Sequence, residues 1–379
     1  MRILLVVEPG IDGVFRHVEG LAHFLVAQNL ELHLAYSDRR GSEPLQKLVT
    51  LIEERGGECL NLGVGNAPEW RDAGALWRLW SMVRRVCPDV VHAHSSKAGV
   101  LARPLALLGV RAKFYYSPHA YYGLAPRSGP RVHFYNAVEW ALGRIGTTIN
   151  ISKDEAAFAM ERLRIAPEKI RVIHNPVNPD VFAPAGKEAR ARNRARLGIP
   201  RDALVLGWIG RLSFQKDPQT LYRSIAPVLA ARDDLVLFQV GQGELDEELQ
   251  RMARDLGIAP RIVRHGYFNE PAVFYETIDA LIMTSRYEAG WPIVVLEALA
   301  SGLPLMVSEA PGTTDIGAAG LSHCWTAPSA EPVKFSRAIE AWLADIPRQR
   351  SSNHREIAVD RFTPAKAFGA VLEEYRRAS

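Results

Sequence analysis

The 379-residue sequence predicts an α/β protein made of two doubly wound domains, each a mostly parallel sheet with helices on both faces. Two observations lead to this prediction. Short apolar runs, mostly β-branched, alternate with helical stretches along the whole chain, which is the pattern of parallel sheets covered by helices. The chain is also too long for one hydrophobic core of ordinary size, so two domains are expected.

Strands are predicted wherever a short apolar run stands between helical stretches or turns. In the first half the predicted strands are residues 3–7, 32–36, 90–93, 113–117, 147–151 and 171–174, with helices such as 15–28 and 153–163 between them. In the second half they are residues 204–209, 236–240, 262–265, 280–284 and 305–307, again with helices between. Two such series along one chain predict two sheets.

The boundary between the domains is predicted near residue 185, which gives domains 1–185 and 186–379. Residues 174–202, HNPVNPDVFAPAGKEARARNRARLGIPRD, are rich in Pro and Gly and end in an Arg-rich stretch before a new buried strand. We leave open that the last helix crosses back to the first domain. Ligands of open α/β sheets bind beyond the carboxyl ends of the strands, so two sheets that face each other would share one interdomain cleft.

Composition excludes several classes of protein. A net charge of +4 is too small to indicate a nucleic-acid binder, although it suits an anionic membrane surface. The three cysteines, Cys59, Cys87 and Cys324, stand singly, so neither a disulfide framework nor a Cys-rich zinc site is expected. The start, MRILLVVEPG, predicts a buried strand rather than a signal peptide, and no run of about 18 apolar residues follows. We therefore expect a cytoplasmic protein, soluble or peripheral at a membrane.

The stretch GWIGRLSFQKDPQTL has the composition of an anion site. A strand ends at Gly210, Arg211 and Lys216 follow in the loop, and Asp217 and Pro218 are the cap and first residue of the next helix. Cations ahead of a helix N-terminus favour anion binding. The alternative is a pair of ordinary surface cations.

The stretch VGQGELDEEL holds Gly241 and Gly243, which allow a ligand close to the backbone, although an ordinary tight turn explains them equally well. A dinucleotide fingerprint requires G-x-G-x-x-G, and Asp246 stands where its third glycine belongs. The segment EPGIDG after the first strand lacks the spacing as well. Nicotinamide cofactors are therefore not expected.

A third candidate loop is SRYEAGWPIVVLEALASGLPL, residues 285–305. Pro292 is predicted to open a helix that Gly302 closes. Glu297 lies in this helix among apolar neighbours, where a carboxylate is costly unless it is hydrogen-bonded. The hydroxyls of a sugar or ribose would satisfy it; a solvated helix face is the alternative.

Taken together, these stretches resemble the GT-B glycosyltransferases of family four, which use nucleotide sugars and retain the anomeric configuration. The resemblance covers almost the whole chain. Its motifs are GRLSFQKD, VGQGE and YEAGWPIVVLEALASGLPLMVSE in the second half, and DVVHAHSSKAG and SPHAYYG in the first half. The resemblance implies two Rossmann-like domains, an acceptor-binding first domain and a nucleotide-sugar-binding second domain.

The resemblance also implies roles for individual residues. Arg211 and Lys216 would hold the donor's diphosphate, Glu297 the ribose, and Glu288 and His119 the donor sugar. The remaining donor-binding residues that it implies are Gly13 in the glycine loop EPGIDGVFRHV, Gly210, Gly243, Tyr267 and Phe268 near the base, and Gly290, Trp291, Pro292 and Ile293 near the phosphates. The expected donor is a UDP-sugar rather than a GDP-sugar, with no further cofactor.

The expected chemistry follows from charge. Departure of the nucleoside diphosphate builds negative charge that Arg211, Lys216 and helix N-termini would stabilise. In the mechanism favoured for the family the acceptor attacks on the face from which the phosphate leaves, and that phosphate takes the proton, so we assign no nucleophile. No D-x-D occurs in the chain, and His92 and His94 show no third ligand, so no metal site is expected.

One detail departs from the family pattern. The family's two glutamates have seven residues between them, whereas Glu288 and Glu297 have eight, because Ala289 is inserted before Gly290. Either the loop bulges and keeps Glu288 at the sugar, or Glu288 has left the site. We favour the bulge, since a loop absorbs one residue at small entropic cost.

The acceptor is expected to be a glycan, free or carried on a polyprenyl diphosphate. Residues 70–86, WRDAGALWRLWSMVRRV, place Leu76, Leu79, Trp80 and Val83 on one helix face and three arginines, Arg71, Arg78 and Arg85, on another. Trp beside Arg is typical of a helix at an anionic membrane surface. A helix that covers its own sheet is the alternative. The rival functions are a GT-B nucleotide-sugar epimerase and a non-catalytic nucleotide-sugar-binding protein.

Overall fold

The computed structural model describes residues 1–268, 270–345 and 353–377. It divides into two compact units. The first contains Met1–Pro176 together with the segment that starts at Pro364, and the second contains Val177–Thr363.

The first unit is built on a seven-stranded parallel sheet. Its strands are β1 (Arg2–Val7), β2 (Glu31–Tyr36), β3 (Cys59–Asn61), β4 (Val90–His94), β5 (Lys113–Ser117), β6 (Thr147–Asn150) and β7 (Ile170–Val172). The order across the sheet is β3-β2-β1-β4-β5-β6-β7. Successive residues of the central strand β1 face opposite apolar clusters, with Ile3 and Leu5 in one and Leu4 and Val6 in the other. Burial on both faces explains why this strand is apolar throughout.

Helices cover both faces of this sheet. They are α1 (Asp12–Ala27), α2 (Glu43–Glu54), α3 (Asp72–Val86), α4 (Ser96–Ala102), α5 (Pro130–Leu142) and α6 (Lys153–Glu161), with 3-10 helices at Arg103–Leu108, Tyr122–Leu124 and Pro167–Lys169. Helix α6 begins at a capping serine, because Ser152 Oγ accepts from the Glu155 amide at 3.0 Å.

The second unit has a six-stranded parallel sheet. Its strands are β8 (Leu204–Ile209), β9 (Leu235–Val240), β10 (Ile262–His265), β11 (Ala280–Met283), β12 (Leu305–Glu309) and β13 (Cys324–Pro328), in the order β10-β9-β8-β11-β12-β13. Its helices are α7 (Lys187–Arg196), α8 (Pro218–Ala231), α9 (Asp246–Asp255), α10 (Ala272–Thr277), α11 (Ile293–Ala300), α12 (Thr314–Gly317), α13 (Pro332–Asp345) and α14 (His354–Arg361), with a 3-10 helix at Ala259–Arg261.

The C-terminal helix α15 (Pro364–Arg376) belongs to the first unit. Phe368 and Leu372 pack in the same apolar cluster as α1. The Tyr375 hydroxyl lies 2.5 Å from Nδ1 of His92, the middle residue of β4. The chain therefore returns to its first sheet after completing the second.

The predicted fold class, two doubly wound parallel sheets, is confirmed, and every predicted strand is present with ends that differ by at most two residues. The structure has two further strands, β3 and β13, that the sequence did not predict. Both lie at a sheet edge and are only partly buried, so neither has a continuous apolar run. The boundary also differs: Val177 and Phe182 pack in the core of the second unit, so the change falls after Pro176 rather than near 185.

Candidate active site

Four loops meet at the carboxyl ends of the strands in the second unit. They follow β8, β9, β11 and β12. The backbone hydrogen bonds that join them are Leu212 N to Gln242 O at 2.9 Å, Arg286 N to Gln215 O at 2.8 Å and Glu288 N to Pro311 O at 2.8 Å. Because parallel strands end at one edge, residues far apart in sequence converge there.

The centre of this site is an ion pair between Lys216 and Glu288. The Lys216 ammonium lies 2.5 Å from Glu288 Oε1, and the Ser285 hydroxyl donates to the same oxygen at 2.5 Å. Glu288 is 5% exposed, so its charge is compensated by these two donors rather than by water. The structure thus places Glu288 beside the predicted diphosphate cation, despite the inserted Ala289.

The loop that carries Glu288 is held by the loop after β12. A Cβ at Gly312 would lie 1.8 Å from the Glu288 carbonyl oxygen, so only glycine permits this approach, and its φ is +88°. Ser308 Oγ donates to the Ser285 carbonyl at 2.6 Å. The sequence prediction missed Ser285, Ser308 and Gly312; the segment APGTT directly after a buried strand is the signal that could have found the last of them.

A second ion pair lies under the same loops. Asp217 caps α8, as predicted, by accepting from Thr220 N at 3.2 Å, and it is fully buried with a left-handed φ of +46°. Its other oxygen lies 3.0 Å from the Arg286 guanidinium, which stacks 4.6 Å from the Phe214 ring. Asp217 therefore fixes the loop between Lys216 and α8 and also the residue two places before Glu288.

Glu297 is buried in α11, with 1% of its surface exposed. The Tyr275 hydroxyl donates to its Oε2 at 2.6 Å. The solvated-face alternative is therefore wrong for Glu297. Helix α11 starts after Pro292 and ends before Ser301 and Gly302, as predicted.

The other donor-binding candidates occupy different surroundings. Trp291 is buried against Phe362, with ring centroids 4.9 Å apart, so its indole belongs to the core. Pro292 stands at the N-cap position of α11 and has no N–H to donate. Ile293 is the first residue of α11, where helical amides have no carbonyl acceptor within the helix.

Glycines at the site serve backbone packing. A Cβ at Gly243 would lie 2.4 Å from the Leu212 carbonyl oxygen, so this glycine allows two loops to approach. Gly210 follows β8 and lies against the aliphatic stem of Lys216. Gly290 is buried in the loop before α11.

The residues at the rim are more exposed. Arg211 is exposed in the loop after β8, and Tyr267 is exposed after β10. Phe268 stacks on His265, with ring centroids 4.1 Å apart. Of the predicted residues, Lys216 and Glu288 form an ion pair, whereas the Glu297 carboxylate accepts a hydrogen bond from Tyr275.

In the first unit, the half-buried His119 lies beside the buried His17 and His94 at the carboxyl ends of β4 and β5. His94 Nδ1 lies 3.0 Å from His119 Nε2, and the rings of His17 and His119 are 4.7 Å apart. His17 Nδ1 lies 3.0 Å from Asn175 Oδ1. His17 escaped the sequence prediction although it stands in the glycine-loop motif, whose Gly13 lies in the first turn of α1.

Burial keeps these histidines neutral. It lowers the pKa of His17 to about 4, with the Asn175 hydrogen bond acting in the opposite direction. It also holds the pKa values of His92, His94 and His119 well below 6.5. Neutral imidazoles are the form that binds metals or shares protons in hydrogen bonds.

Three of these histidines could together hold a metal ion. The ligand nitrogens of His17, His94 and His119 lie within 4.8 Å of one another, and Zn²⁺ accepts such a set. In the structure, however, His94 Nδ1 and His119 Nε2 already share a hydrogen bond. This set contains His94 but not His92, so it differs from the His92–His94 pair considered in the sequence, and the absence of a metal stays a prediction.

The backbone at His119 is strained. His119 has φ +54° and the next residue, Ala120, has φ +113°. Non-glycine residues in this region cost on the order of 1–3 kcal/mol each and are concentrated at functional sites.

Helix α3 divides its side chains between core and solvent. Leu79 and Val83 are buried on the sheet, which confirms the alternative that the helix covers its own sheet at these positions. Trp70 and Trp77 are 85% and 65% exposed. An apolar cavity of about 360 Å³ lies beside them, lined by Ala73, Leu76, Trp77, Trp80 and Leu108. No helix in the described ranges combines the length and apolar composition needed to cross a bilayer.

Comparison with known families places the two halves of the chain in known domains. The family described as glycosyl transferases group 1 matches residues 189–357. The family described as glycosyltransferase family 4 matches residues 11–181. Residues 189–357 therefore form a domain of the group 1 glycosyltransferases, and residues 11–181 form a glycosyltransferase family 4 domain.

Its relatives are similar over part of their lengths. An Escherichia coli protein named UDP-Gal:alpha-D-GlcNAc-diphosphoundecaprenol alpha-1,3-galactosyltransferase is 30% identical over 252 residues, 64% of this chain and 63% of the relative. A D-inositol 3-phosphate glycosyltransferase of Streptomyces scabiei is 34% identical over 174 residues, 42% of this chain and 37% of the relative. The chain thus matches between 37% and 63% of these relatives' own lengths.

Solved structures share the whole fold. Anabaena HepE in complex with UDP-glucose has a TM-score of 0.81 at 20% identity, over 99% of each chain. WaaG, a glycosyltransferase involved in lipopolysaccharide biosynthesis, has a TM-score of 0.78 at 15% identity over 100% of each chain. At these identities the likeness shows the fold, which is GT-B.

Proposed function

We propose that this protein transfers a hexose from a nucleotide-diphosphate sugar, a UDP-sugar rather than a GDP-sugar, to a glycan acceptor with retention of configuration. One observation carries the proposal: the half-buried Lys216 pairs with the buried Glu288 at the ligand edge of the second sheet. A cation for a diphosphate and a carboxylate for sugar hydroxyls are the two groups that a nucleotide sugar requires.

The donor would exchange this pair for its own contacts. Its diphosphate would take the Lys216 ammonium, with Arg211 at the rim and the first-turn amide of Ile293 as further donors. Glu288 would then accept hydrogen bonds from the sugar hydroxyls, while the Ser285 hydroxyl continues to donate to its Oε1. Glu297, oriented by Tyr275, would accept from the ribose.

Charge at the diphosphate drives the proposed chemistry. As the bond from the anomeric carbon to the phosphate oxygen breaks, Lys216 and Arg211 stabilise the negative charge on the leaving nucleoside diphosphate. The acceptor hydroxyl attacks from the same face and gives its proton to that phosphate. We propose no metal at the diphosphate and no protein nucleophile.

The acceptor we propose is a glycan on a polyprenyl diphosphate, used in cell-surface polysaccharide synthesis at the inner face of the cell membrane. The E. coli relative's name contains a diphosphoundecaprenol acceptor, which supports this substrate class. Exposed Trp70 and Trp77, with the Arg71 guanidinium 5.5 Å from the Trp70 ring, suit an anionic bilayer surface.

The test is product analysis with a panel of sugar nucleotides, with and without GlcNAc-diphosphoundecaprenol. Transfer from a UDP-hexose with an α-linked product supports the proposal. An isomerised sugar nucleotide formed without acceptor would identify an epimerase, and binding without consumption a nucleotide-sugar-binding protein. The assay is repeated in EDTA, where transfer should persist.

A further inference from the structure

The turn that carries His119 adopts a conformation that its residues do not favour. His119 and Ala120 both have positive φ, at +54° and +113°. An alanine pays a steric penalty there that glycine would not. Such a turn persists only when its surroundings fix it.

The group that fixes it is the Glu155 carboxylate. Oε1 accepts from the Ala120 amide at 2.8 Å, and Oε2 accepts from the Ile151 amide at 2.8 Å. Glu155 is fully buried. The carboxylate thus bridges the loops that follow β5 and β6.

Helix capping alone does not explain this arrangement. Ser152 caps α6 and Glu155 is its third residue, the positions of a capping box. In a capping box the glutamate returns to the start of its own helix, which needs one oxygen. Here the second oxygen reaches Ala120, 35 residues away in sequence. Burial raises the pKa of Glu155 to about 8, because the ionised carboxylate is costly at this buried position.

The consequence is the position of the His119 ring. With the Ala120 amide held, the imidazole meets His94 Nδ1 at 3.0 Å and lies edge-on to His17. If Ala120 relaxed to negative φ, the preceding residue would turn and this contact would be lost. The next residue, Tyr121, is buried, so its packing opposes such a movement of the backbone.

We propose that Glu155 is a positioning residue that holds the His119–Ala120 turn in its strained conformation and so sets the His119 imidazole for sugar transfer. Its effect on turnover rests on the proposed function; its effect on the ring does not. The two parts are therefore measured separately.

The variants are Glu155→Gln, which keeps one acceptor oxygen, and Glu155→Met, which removes both at similar volume. Glu161→Gln makes the same exchange at an exposed position on α6 and is the control. Histidine-selective ¹⁵N NMR reports the tautomers of His94 and His119. We expect their single-tautomer signals to average in both Glu155 variants and to stay unchanged in the control.

Steady-state kinetics test the link to transfer. We expect kcat to fall at least tenfold in Glu155→Gln while the Kd for UDP, which binds the second unit, changes less than twofold. Adding Ala120→Gly should restore part of the lost kcat, because glycine adopts this φ without penalty. Unchanged histidine signals and kcat in a folded Glu155→Met would overturn the proposal. A third outcome is possible: the histidine signals change in the Glu155 variants, but a His119→Ala variant keeps full activity. That outcome would support the positioning by Glu155 and refute the role of His119 in transfer.

Discussion

Lys216 Nζ and Glu288 Oε1 lie 2.5 Å apart although 72 residues separate them in the chain. Within this pair neither charge is left uncompensated. A ligand that separates them must offer an anion to the lysine and donors to the carboxylate. A nucleotide sugar offers both, and the predictions about the site follow from this.

Removal of the cations should cost turnover. We expect Arg211→Ala and Lys216→Ala each to lower kcat about a hundredfold, since loss of one preorganised donor costs roughly 3 kcal/mol in the transition state. Because Arg211 is exposed, Arg211→Ala should keep the free energy of unfolding within about 0.5 kcal/mol of the wild-type value. Lys216→Ala also leaves the buried Glu288 without its cation, so it should lower the melting temperature. Kinetics and thermal melts are compared with exposed Lys187→Ala. Near-normal kcat in either variant would refute the diphosphate assignment.

The two glutamates should separate in their effects. Glu288→Ala should lower kcat strongly because the sugar hydroxyls lose an acceptor. UDP binding, measured by calorimetry, should not weaken, because Lys216 then has no carboxylate partner that the diphosphate must displace. Glu297→Ala should weaken binding of both the UDP-sugar and UDP, since the ribose contact is common to them. Wild-type turnover in Glu288→Ala would show that the inserted Ala289 has displaced this carboxylate from the sugar.

The buried histidines should make the first unit sensitive to acid. Because burial lowers the pKa of His17 to about 4, the unfolded state takes up a proton below pH 6.5 that the folded state refuses. Its contribution to stability is therefore present above pH 6.5 and is lost as the pH falls towards 4, by about 3 kcal/mol.

The measurement is urea unfolding from pH 7 to pH 4 for wild type and His17→Gln. The raised pKa of Glu155 makes its contribution to stability increase on acidification over part of this range, opposite to that of His17. The difference in unfolding free energy between wild type and His17→Gln therefore isolates the contribution of His17. That difference should shrink by about 3 kcal/mol on acidification. The control is His23→Gln, a change at an exposed histidine on the same helix. If the difference in unfolding free energy between wild type and His17→Gln did not depend on pH, the prediction would be contradicted.

Membrane docking should depend on the exposed tryptophans. Wild type should sediment with anionic liposomes at low salt, and Trp77→Ala should lower the partition coefficient about tenfold, because a large apolar side chain contributes roughly 1.5–3 kcal/mol on burial. Val333→Ala changes a similarly exposed apolar residue in the second unit and should have no effect. Failure of wild type to bind at low salt would refute docking.

Much of the fold followed from local patterns. The central strands are apolar throughout because both faces are buried, and such runs are visible in sequence. The edge strands β3 and β13 are not, since solvent accepts polar residues on them. The return of α15 to the first unit depends on Phe368 and Leu372 finding the α1 cluster, which no local signal specifies.

The same division holds at the site. Loops after strands, the Asp217 cap and the limits of α11 depend on neighbouring residues, so the sequence alone predicts that the loops carrying Lys216 and Glu288 lie at one sheet edge. Three contacts appear only in the folded protein: Glu288 with Lys216, Tyr275 with Glu297, and His17 with His94 and His119. Those contacts join elements brought together by strand order and crossover packing, and hydrogen-bond geometry at such distances along the chain has no signature in local propensity.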